Sequence, residues 1–350
     1  MILMIRKTIG LLLTLLLSMN LFAQDEVKIA AVGDIMMGTA YPNGEFLPNF
    51  DPAKLFDPLR TYLTDVDVTF GNLEGALTDN MSQAKNCTNK SLCYFFAMPT
   101  SYAKHLKDAG FDVLSIANNH MSDFGEIGRK STQKVLKEVG IRYAGLLECP
   151  TDIFTINGVK YGFCAFAPNT GTVDVKNIAA AQEIVRSLKK NVDIVIVSFH
   201  AGGEGAKFQH VTRKTETCFG ENRGNVYEFA HKMIDAGGDV LLGHGPHVTR
   251  AIEVYKNRFI TYSMGNFLTY SRINVAGVNG LAPLFHIYTK KNGEFIKAQI
   301  IPTSQLKQQP PELDKQKRVI KVIQDLTRTD FPEMKSVITI ADDGWVTPVK

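Results

Sequence analysis

Three features of the sequence predict an α/β protein built on a largely parallel sheet. Short apolar runs alternate with stretches of helical spacing. Two of the runs, Val192–Ser198 and Val240–Leu242, are apolar almost throughout, as strands covered on both faces are. Acid, amide and imidazole residues also gather where the runs stop, which is where ligands collect in open α/β sheets.

The elements follow in order. Val27–Val32 reads as a first strand running into Gly33-Asp34-Ile35-Met36, and Leu55, Phe56, Leu59 and Leu63 mark a helix over Lys54–Thr64. Val66–Phe70 is a second strand, ending in Gly71-Asn72-Leu73-Glu74-Gly75. Pro99 suits the start of a helix that stops before Gly110. Asp112–Ile116 is a third strand, followed by Ala117-Asn118-Asn119-His120 and a helix over Gly128–Val139. Asn157-Gly158 predicts a two-residue turn in a hairpin over Thr151–Ala167. A helix over Asn177–Lys190 leads to the strand that stops at His200, and a helix over Glu221–Ala236 leads to Asp239–Val248, which carries His244 and His247. Two more hairpins are expected around Lys256-Asn257-Arg258 and Lys291-Asn292-Gly293, then a proline-led amphipathic helix over Gln308–Asp330 and a last strand over Val337–Ile340.

The start of the chain has the layout of a secretory signal peptide. Arg6 and Lys7 precede a short apolar run from Ile9 to Leu17, and Leu21-Phe22-Ala23 precedes Gln24-Asp25-Glu26, so cleavage is expected near Ala23. The apolar run falls short of the roughly 20 residues that span a bilayer. The expected location is therefore the periplasm, the cell envelope or the exterior. Loss of Arg6 and Lys7 takes Lys plus Arg from 39 to 37 against 35 acidic residues. That balance excludes a nucleic-acid footprint. Five cysteines without a CxxC pair fit neither a zinc ribbon nor a dense disulfide scaffold; Cys87 and Cys93 are spaced to close a small loop after export, and Cys164 reads as a buried thiol within a strand.

Five predicted strand ends carry Asp34, Asn72 with Glu74, Asn119 with His120, His200, and His244 with His247. Each group has an ordinary structural use when taken singly, such as capping a loop or shaping a turn. Four of the eight histidines fall in these narrow windows, however, which chance placement explains poorly. Carboxylate, amide oxygen and imidazole together suit divalent Zn, Mn or Fe better than Mg or Ca. One or two such ions are expected, and a pair sharing a carboxylate would serve a displacement at phosphorus or a related centre.

Six ordered motifs carry a family resemblance: Gly33-Asp34-Ile35-Met36, Asn72-Leu73-Glu74-Gly75, Ala117-Asn118-Asn119-His120 with Asp123 and Gly125, His200 to Glu204, Gly243-His244-Gly245-Pro246-His247-Val248, and Ser263-Met264-Gly265-Asn266-Phe267. Together they resemble the capsule synthesis (CapA, poly-γ-glutamate synthesis) family, which is related to the calcineurin-like metallophosphatases. The resemblance implies a four-layer α/β/β/α sandwich, with residues 24–305 as the metal-carrying domain and 306–350 as a helical and strand extension. It further implies Asp34, Glu74, Asn119, His200, His244 and His247 as metal ligands, Glu74 in the bridging place, and His120 as the catalytic histidine. Asn72, Asn118, Glu204 and Asn266 are implied in supporting or substrate-binding places. The metallophosphatases open with Asp-x-His where this sequence has Met36, so one metal position is expected to be weaker or to borrow Glu204.

The expected function is that of an exported, metal-dependent hydrolase-like protein acting in synthesis, export or surface attachment of an anionic polymer such as poly-γ-glutamate, with that polymer or a phosphoester or peptide substrate and envelope polymer-synthesis machinery as its partners. The alternatives are a non-catalytic polymer-assembly component and a plain cell-surface metallophosphatase.

Overall fold

Two facing sheets dominate the computed structural model, which describes residues 26–86 and 93–349. The expected signal peptide and Cys87 lie outside the described residues. In the first sheet the order is β19 (Ile338–Ile340), β20 (Trp345–Pro348), β17 (Phe295–Ser304), β16 (Leu281–Lys290), β1 (Glu26–Met36), β2 (Val68–Leu73), β5 (Val113–Ser115) and β6 (Arg142–Ala144). Beside this path, β15 (Asn266–Thr269) pairs with the end of β1 and β18 (Glu312–Leu313) with β17. The second sheet runs β13 (Ile252–Tyr255), β14 (Arg258–Thr261), β12 (Val240–His244), β9 (Ile194–His200), β8 (Val159–Phe166) and β7 (Thr151–Ile156). Two small pairs complete the strands: β3 (Ala76–Leu77) with β4 (Ala97–Met98), and β10 (Thr217–Cys218) with β11 (Glu221–Asn222).

Both sheets are mixed. Strands β1, β2, β5 and β6 run parallel, as do β8, β9, β12 and β14. The β16–β17 hairpin, however, lies antiparallel beside β1, and hairpins close both edges of the second sheet. A hairpin returns on itself, so each one inserts an antiparallel neighbour into a sheet that helix crossovers would leave parallel.

The four layers follow from the apolar faces. One side of the first sheet, with Val32, Ile35, Leu73 and Leu114, packs on α1 (Arg60–Thr64), α2 (Tyr102–Asp108) and α3 (Gly125–Glu138) through Leu63, Leu106 and Leu136. Its other side meets the second sheet, where the Phe70 and Phe163 rings touch edge to face at 5.8 Å and Phe259 packs on Phe285 and Phe295. The far side of the second sheet is covered by α4 (Ile178–Lys189) and α5 (Val226–Asp235), which bury Val185, Leu188, Phe229 and Met233. This is the α/β/β/α sandwich that the resemblance implied. From residues 306–350, α6 (Arg318–Asp330) buries Val319, Ile320, Ile323 and Leu326 into the core between the sheets, while β19 and β20 extend the first sheet.

Several boundaries differ from expectation, each for a local reason. Pro58 has no N–H to give, so Pro52–Leu59 winds as a 3-10 turn and only Arg60–Thr64 is α-helical. Thr100 binds Asp79 through its backbone N–H, and the helix after Pro99 starts only at Tyr102. Glu221 belongs to the β10–β11 hairpin; Gly224, at φ 84°, turns the chain, and Asn225 caps the helix that begins at Val226. The last helix starts at Arg318, ten residues later than Gln308, because Glu312–Leu313 joins β17 and Asp314 accepts from the Arg318 N–H. The Asn157-Gly158 turn forms as expected, with φ of 52° and 77°. Cys164 is fully buried in β8, and burial pushes its thiol far above the usual range. Cys93 is disulfide-bonded, while Cys149, Cys164 and Cys218 are free thiols.

Candidate metal centre

The strands align their polar ends in register. In the first sheet Asp34 lies opposite Asn72, and in the second His244 lies opposite His200. Because the two sheets face each other, these pairs meet at one edge. Gly33 makes the approach possible: a Cβ there would stand 2.0 Å from the Gly265 carbonyl oxygen, so any other residue would drive β1 away from the Met264–Gly265 loop.

Asp34, Glu74 and His200 are buried, and each offers an atom within 4.8 Å of the others. His247 bridges the two carboxylates, with Nδ1 2.9 Å from Asp34 Oδ2 and Nε2 3.5 Å from Glu74 Oε1. His244 is fully buried, and its Nδ1 stands 3.4 Å from Asp34 Oδ1 without hydrogen-bond geometry. Both oxygens of Glu74, both nitrogens of His200 and of His244, and Asn119 Oδ1 are buried with no hydrogen-bond partner. Each such atom left unsatisfied costs about 1–3 kcal/mol. Their convergence from both sheets and the loop after β5 is what a bound cation would repay. Carboxylate, imidazole and amide oxygen form a donor set that fits a divalent ion.

The electrostatics agree. Burial raises the Glu74 carboxyl well above the usual carboxylate range, and the neighbouring Asp34 charge adds to it. Burial would raise Asp34 as well, but the imidazoles of His244 and His247 outweigh it and hold Asp34 below that range. Burial would lower His247, yet Glu74 and then Asp34 carry it up to about 10. Burial holds His200 well below 6.5, hence neutral and able to donate a lone pair. A cation beside the carboxylates would favour ionised Glu74, reversing its shift.

Of the remaining candidates, Asn72 donates from Nδ2 to Asp34 Oδ1 at 2.9 Å, and Asn118 braces Asn72 and the Leu73 carbonyl while accepting the N–H groups of His120 and Met121. Asn266 donates to the backbone oxygens of His247, Asn274 and Asn279, and its Oδ1 lies 3.1 Å from His247 Nδ1. It thereby holds His247 at φ 55°, a conformation that only a few per cent of non-glycine residues adopt. Glu204 lines the cleft beside His247 and pairs through Oε1 with Arg223 at 2.9 Å. Met36 turns its sulfur onto the Gly38 N–H.

His120 stands on the floor of an open cleft of about 450 Å³ that Asn119, Glu204 and His247 also line. Its ring lies on Phe96, centroids 4.0 Å apart, and Nδ1 is 2.8 Å from Asp123 Oδ2. Asp123 also accepts from the Phe96 N–H and pairs with Lys85. The sequence placed Asp123 in the motif with His120 but gave no role to Lys85 or Arg223. Lys85 and Arg223 come to the site through loops whose course no local pattern reports.

Residues 28–271, well over half of the chain, match the family described as "Bacterial capsule synthesis protein PGA_cap". The capsule biosynthesis protein CapA of Bacillus anthracis is 31% identical over 70% of this chain, and the PGA biosynthesis protein CapA of Bacillus subtilis is 30% identical over 71%. The chain spans 60% and 64% of the lengths of those two relatives. Among solved structures, a purple acid phosphatase from yellow lupin seeds aligns at TM-score 0.41 and 10% identity, covering 84% of this chain and 55% of the other. Likeness at that level says nothing of activity. The family match and the identity to these relatives establish that the chain belongs to the bacterial capsule synthesis protein family.

Proposed function

We propose that this protein is an exported, metal-dependent hydrolase that acts on an anionic polymer such as poly-γ-glutamate during its synthesis, export or surface attachment. The observation that carries the reading is the cluster of buried donor atoms without protein partners at Glu74, Asn119, His200 and His244, gathered around Asp34, with His120 on the floor of the adjoining cleft. Asp34, Glu74, Asn119, His200, His244 and His247 would hold one or two divalent ions, Mn, Zn or Fe by the softness of the donors. Such an ion supplies Lewis acidity and an activated water for hydrolysis.

The protein's own groups do the rest. Asp123 fixes the His120 ring through Nδ1, which leaves Nε2 as the nitrogen free to pass a proton to a departing group in the cleft. Phe96 covers one face of that ring and limits its rotation. Arg223 holds Glu204, which lines the cleft, through an ion pair. The polymer class is supported by the names of the capsule and PGA biosynthesis relatives, and export by the leader-like first 23 residues. Envelope polymer-synthesis machinery is the proposed partner.

The test is elemental analysis of the full chain purified without chelator, followed by incubation with γ-glutamyl oligomers and with phosphoesters. One to two transition ions per chain and cleavage of the γ-glutamyl oligomer are expected. A protein that neither retains nor is stabilised by Zn or Mn would overturn the metal centre. Retained metal without turnover would overturn the hydrolase and leave a polymer-assembly component.

A further inference from the structure

Among the described residues, ten arginines are paired with acids. Arg60, Arg129, Arg142, Arg186, Arg213, Arg223, Arg250, Arg258, Arg318 and Arg328 each have a carboxylate oxygen within 4 Å. Among the described residues Arg272 is the one arginine without such a partner, and no hydrogen bond of its side chain is found there either. Its guanidinium lies instead between two rings, 4.7 Å from the centroid of Phe46 and 5.0 Å from that of Tyr94. Aromatic faces attract the cation but leave its planar N–H fork without an acceptor.

The position of this arginine gives the pairing its meaning. Tyr94, Arg272, Ile273 and Asn274 line both the cleft over the metal centre and a second basin of about 610 Å³, so the two adjoin at these residues. The outer basin also takes in Lys307, which makes no ion pair among the described residues, and no acidic residue lines it. The loops bearing these cations are fixed to the metal centre and to each other. Asn266 binds both the His247 and the Asn274 carbonyl oxygens, and the Gln308 N–H donates to the Tyr270 carbonyl at 2.9 Å. Arg272 is held at φ 69°, a left-handed conformation that is strained for a non-glycine residue and persists only where the surroundings impose it.

We infer that Arg272, assisted by Lys307, is the receptor for a carboxylate of an acidic peptide chain lying along this cleft, one or more residues away from the group held over the metal centre. This rests on the polymer reading of the preceding subsection and deepens it. The guanidinium fork matches a carboxylate with two parallel hydrogen bonds, and the flanking rings shed water from the pair. A polymer with one carboxylate per repeat would present an anion to the outer basin while another repeat lies at His120. Arg272 is thus assigned to recognition and to register, not to the chemical step.

The experiment uses the full chain loaded with Zn or Mn and a fluorescently labelled γ-glutamyl oligomer, followed by anisotropy. Glutamine and glycerol-phosphate oligomers of equal length serve as comparison arms. Arg272→Gln is expected to weaken binding of the glutamyl oligomer about tenfold, as loss of a charge-assisted bidentate contact does. Arg272→Lys should restore part of that loss, and Lys307→Gln should weaken binding independently. Metal content and thermal stability should match the parent in all three, because neither side chain touches the donor cluster. Unchanged binding in both Arg272→Gln and Lys307→Gln would overturn the inference while leaving the polymer reading intact. A parent protein that binds no glutamyl oligomer, or prefers the glycerol-phosphate oligomer, would overturn both. Binding that depends on Arg272 without any cleavage would uphold the inference and overturn the hydrolase.

Discussion

His247 Nδ1 lies 2.9 Å from Asp34 Oδ2, joining residues 213 positions apart in the chain. The contact ties the first strand of one sheet to the turn that follows a central strand of the other, so it closes the sandwich at the edge where the donor atoms gather. The same imidazole reaches toward Glu74, and Asn266 holds its backbone. The two sheets and the donor cluster are therefore held together by one side chain.

Metal retention should separate Glu74 from Asn72. Glu74 presents two buried oxygens without protein partners, whereas Asn72 reaches the centre by orienting Asp34. Glu74→Gln is expected to lose most of the bound metal. Asn72→Ala should lower affinity by about 10–100-fold, the usual cost of removing an orienting partner. Titration of each apo variant with Zn or Mn, read by calorimetry, decides it. Equal affinities would show that Glu74 does not ligate.

A buried ion pair beside the centre should govern stability. Arg250 is fully buried, its guanidinium bonded twice to Glu216 at 2.9 and 2.7 Å, and Glu216 accepts from the Gly203 N–H in the loop that follows His200. Glu216→Ala leaves that cation unpaired inside the protein, which costs about 3–5 kcal/mol. Denaturant unfolding should show the loss. A change below about 1 kcal/mol would mean that the pair is replaced by solvent.

The parts of this architecture that could be read in the sequence are those set by local pattern. Apolar runs ending in Asp34, Asn72, His200 and His244 located the strand ends, because strand and ligand lie next to each other in the chain. Asn157-Gly158 announced its own turn. What escaped depends on contacts far apart in sequence. Glu204 lines the cleft beside the centre, but its pairing with Arg223, delivered by the β10–β11 hairpin, had no local signal. Lys85 meets Asp123 across 38 positions. The antiparallel place of β16 next to β1 likewise follows from packing two sheets together, which hydrophobic period alone does not specify.

Acid should destabilise the fold in part through His286. This residue is buried in β16, with Nε2 2.7 Å from the Tyr62 carbonyl oxygen. Burial lowers its pKa below 6.5, so the folded protein keeps the ring neutral where the unfolded chain takes up a proton. Its contribution is present above pH ~6.5 and is lost as the pH falls from there toward the folded value. His286→Gln should flatten that fall, even if its stability at pH 8 is somewhat lower. Melting curves from pH 8 to 5 for both proteins test this; parallel curves would clear His286 of the effect.

The His120–Asp123 pair should distinguish a catalyst from a metal-organised scaffold. His120 faces the cleft with one nitrogen engaged by Asp123, and Asn119, its neighbour, carries the buried oxygen that lacks a partner. Asn119→Ala should therefore shed metal, whereas His120→Gln should keep it. Against the γ-glutamyl oligomer, His120→Gln should slow turnover by roughly 10²- to 10⁴-fold, the usual contribution of a general acid or base. Asp123→Asn keeps the size of the side chain but removes the charge facing His120 and Lys85, so it should lower the rate less and displace the pH profile of kcat. A purely structural His120 would give a different pattern: reduced melting temperature in both variants, with the specific activity of the folded fraction and its pH profile unchanged. In that outcome the proton would have to come from elsewhere in the cleft, and the catalytic assignment of His120 would fall.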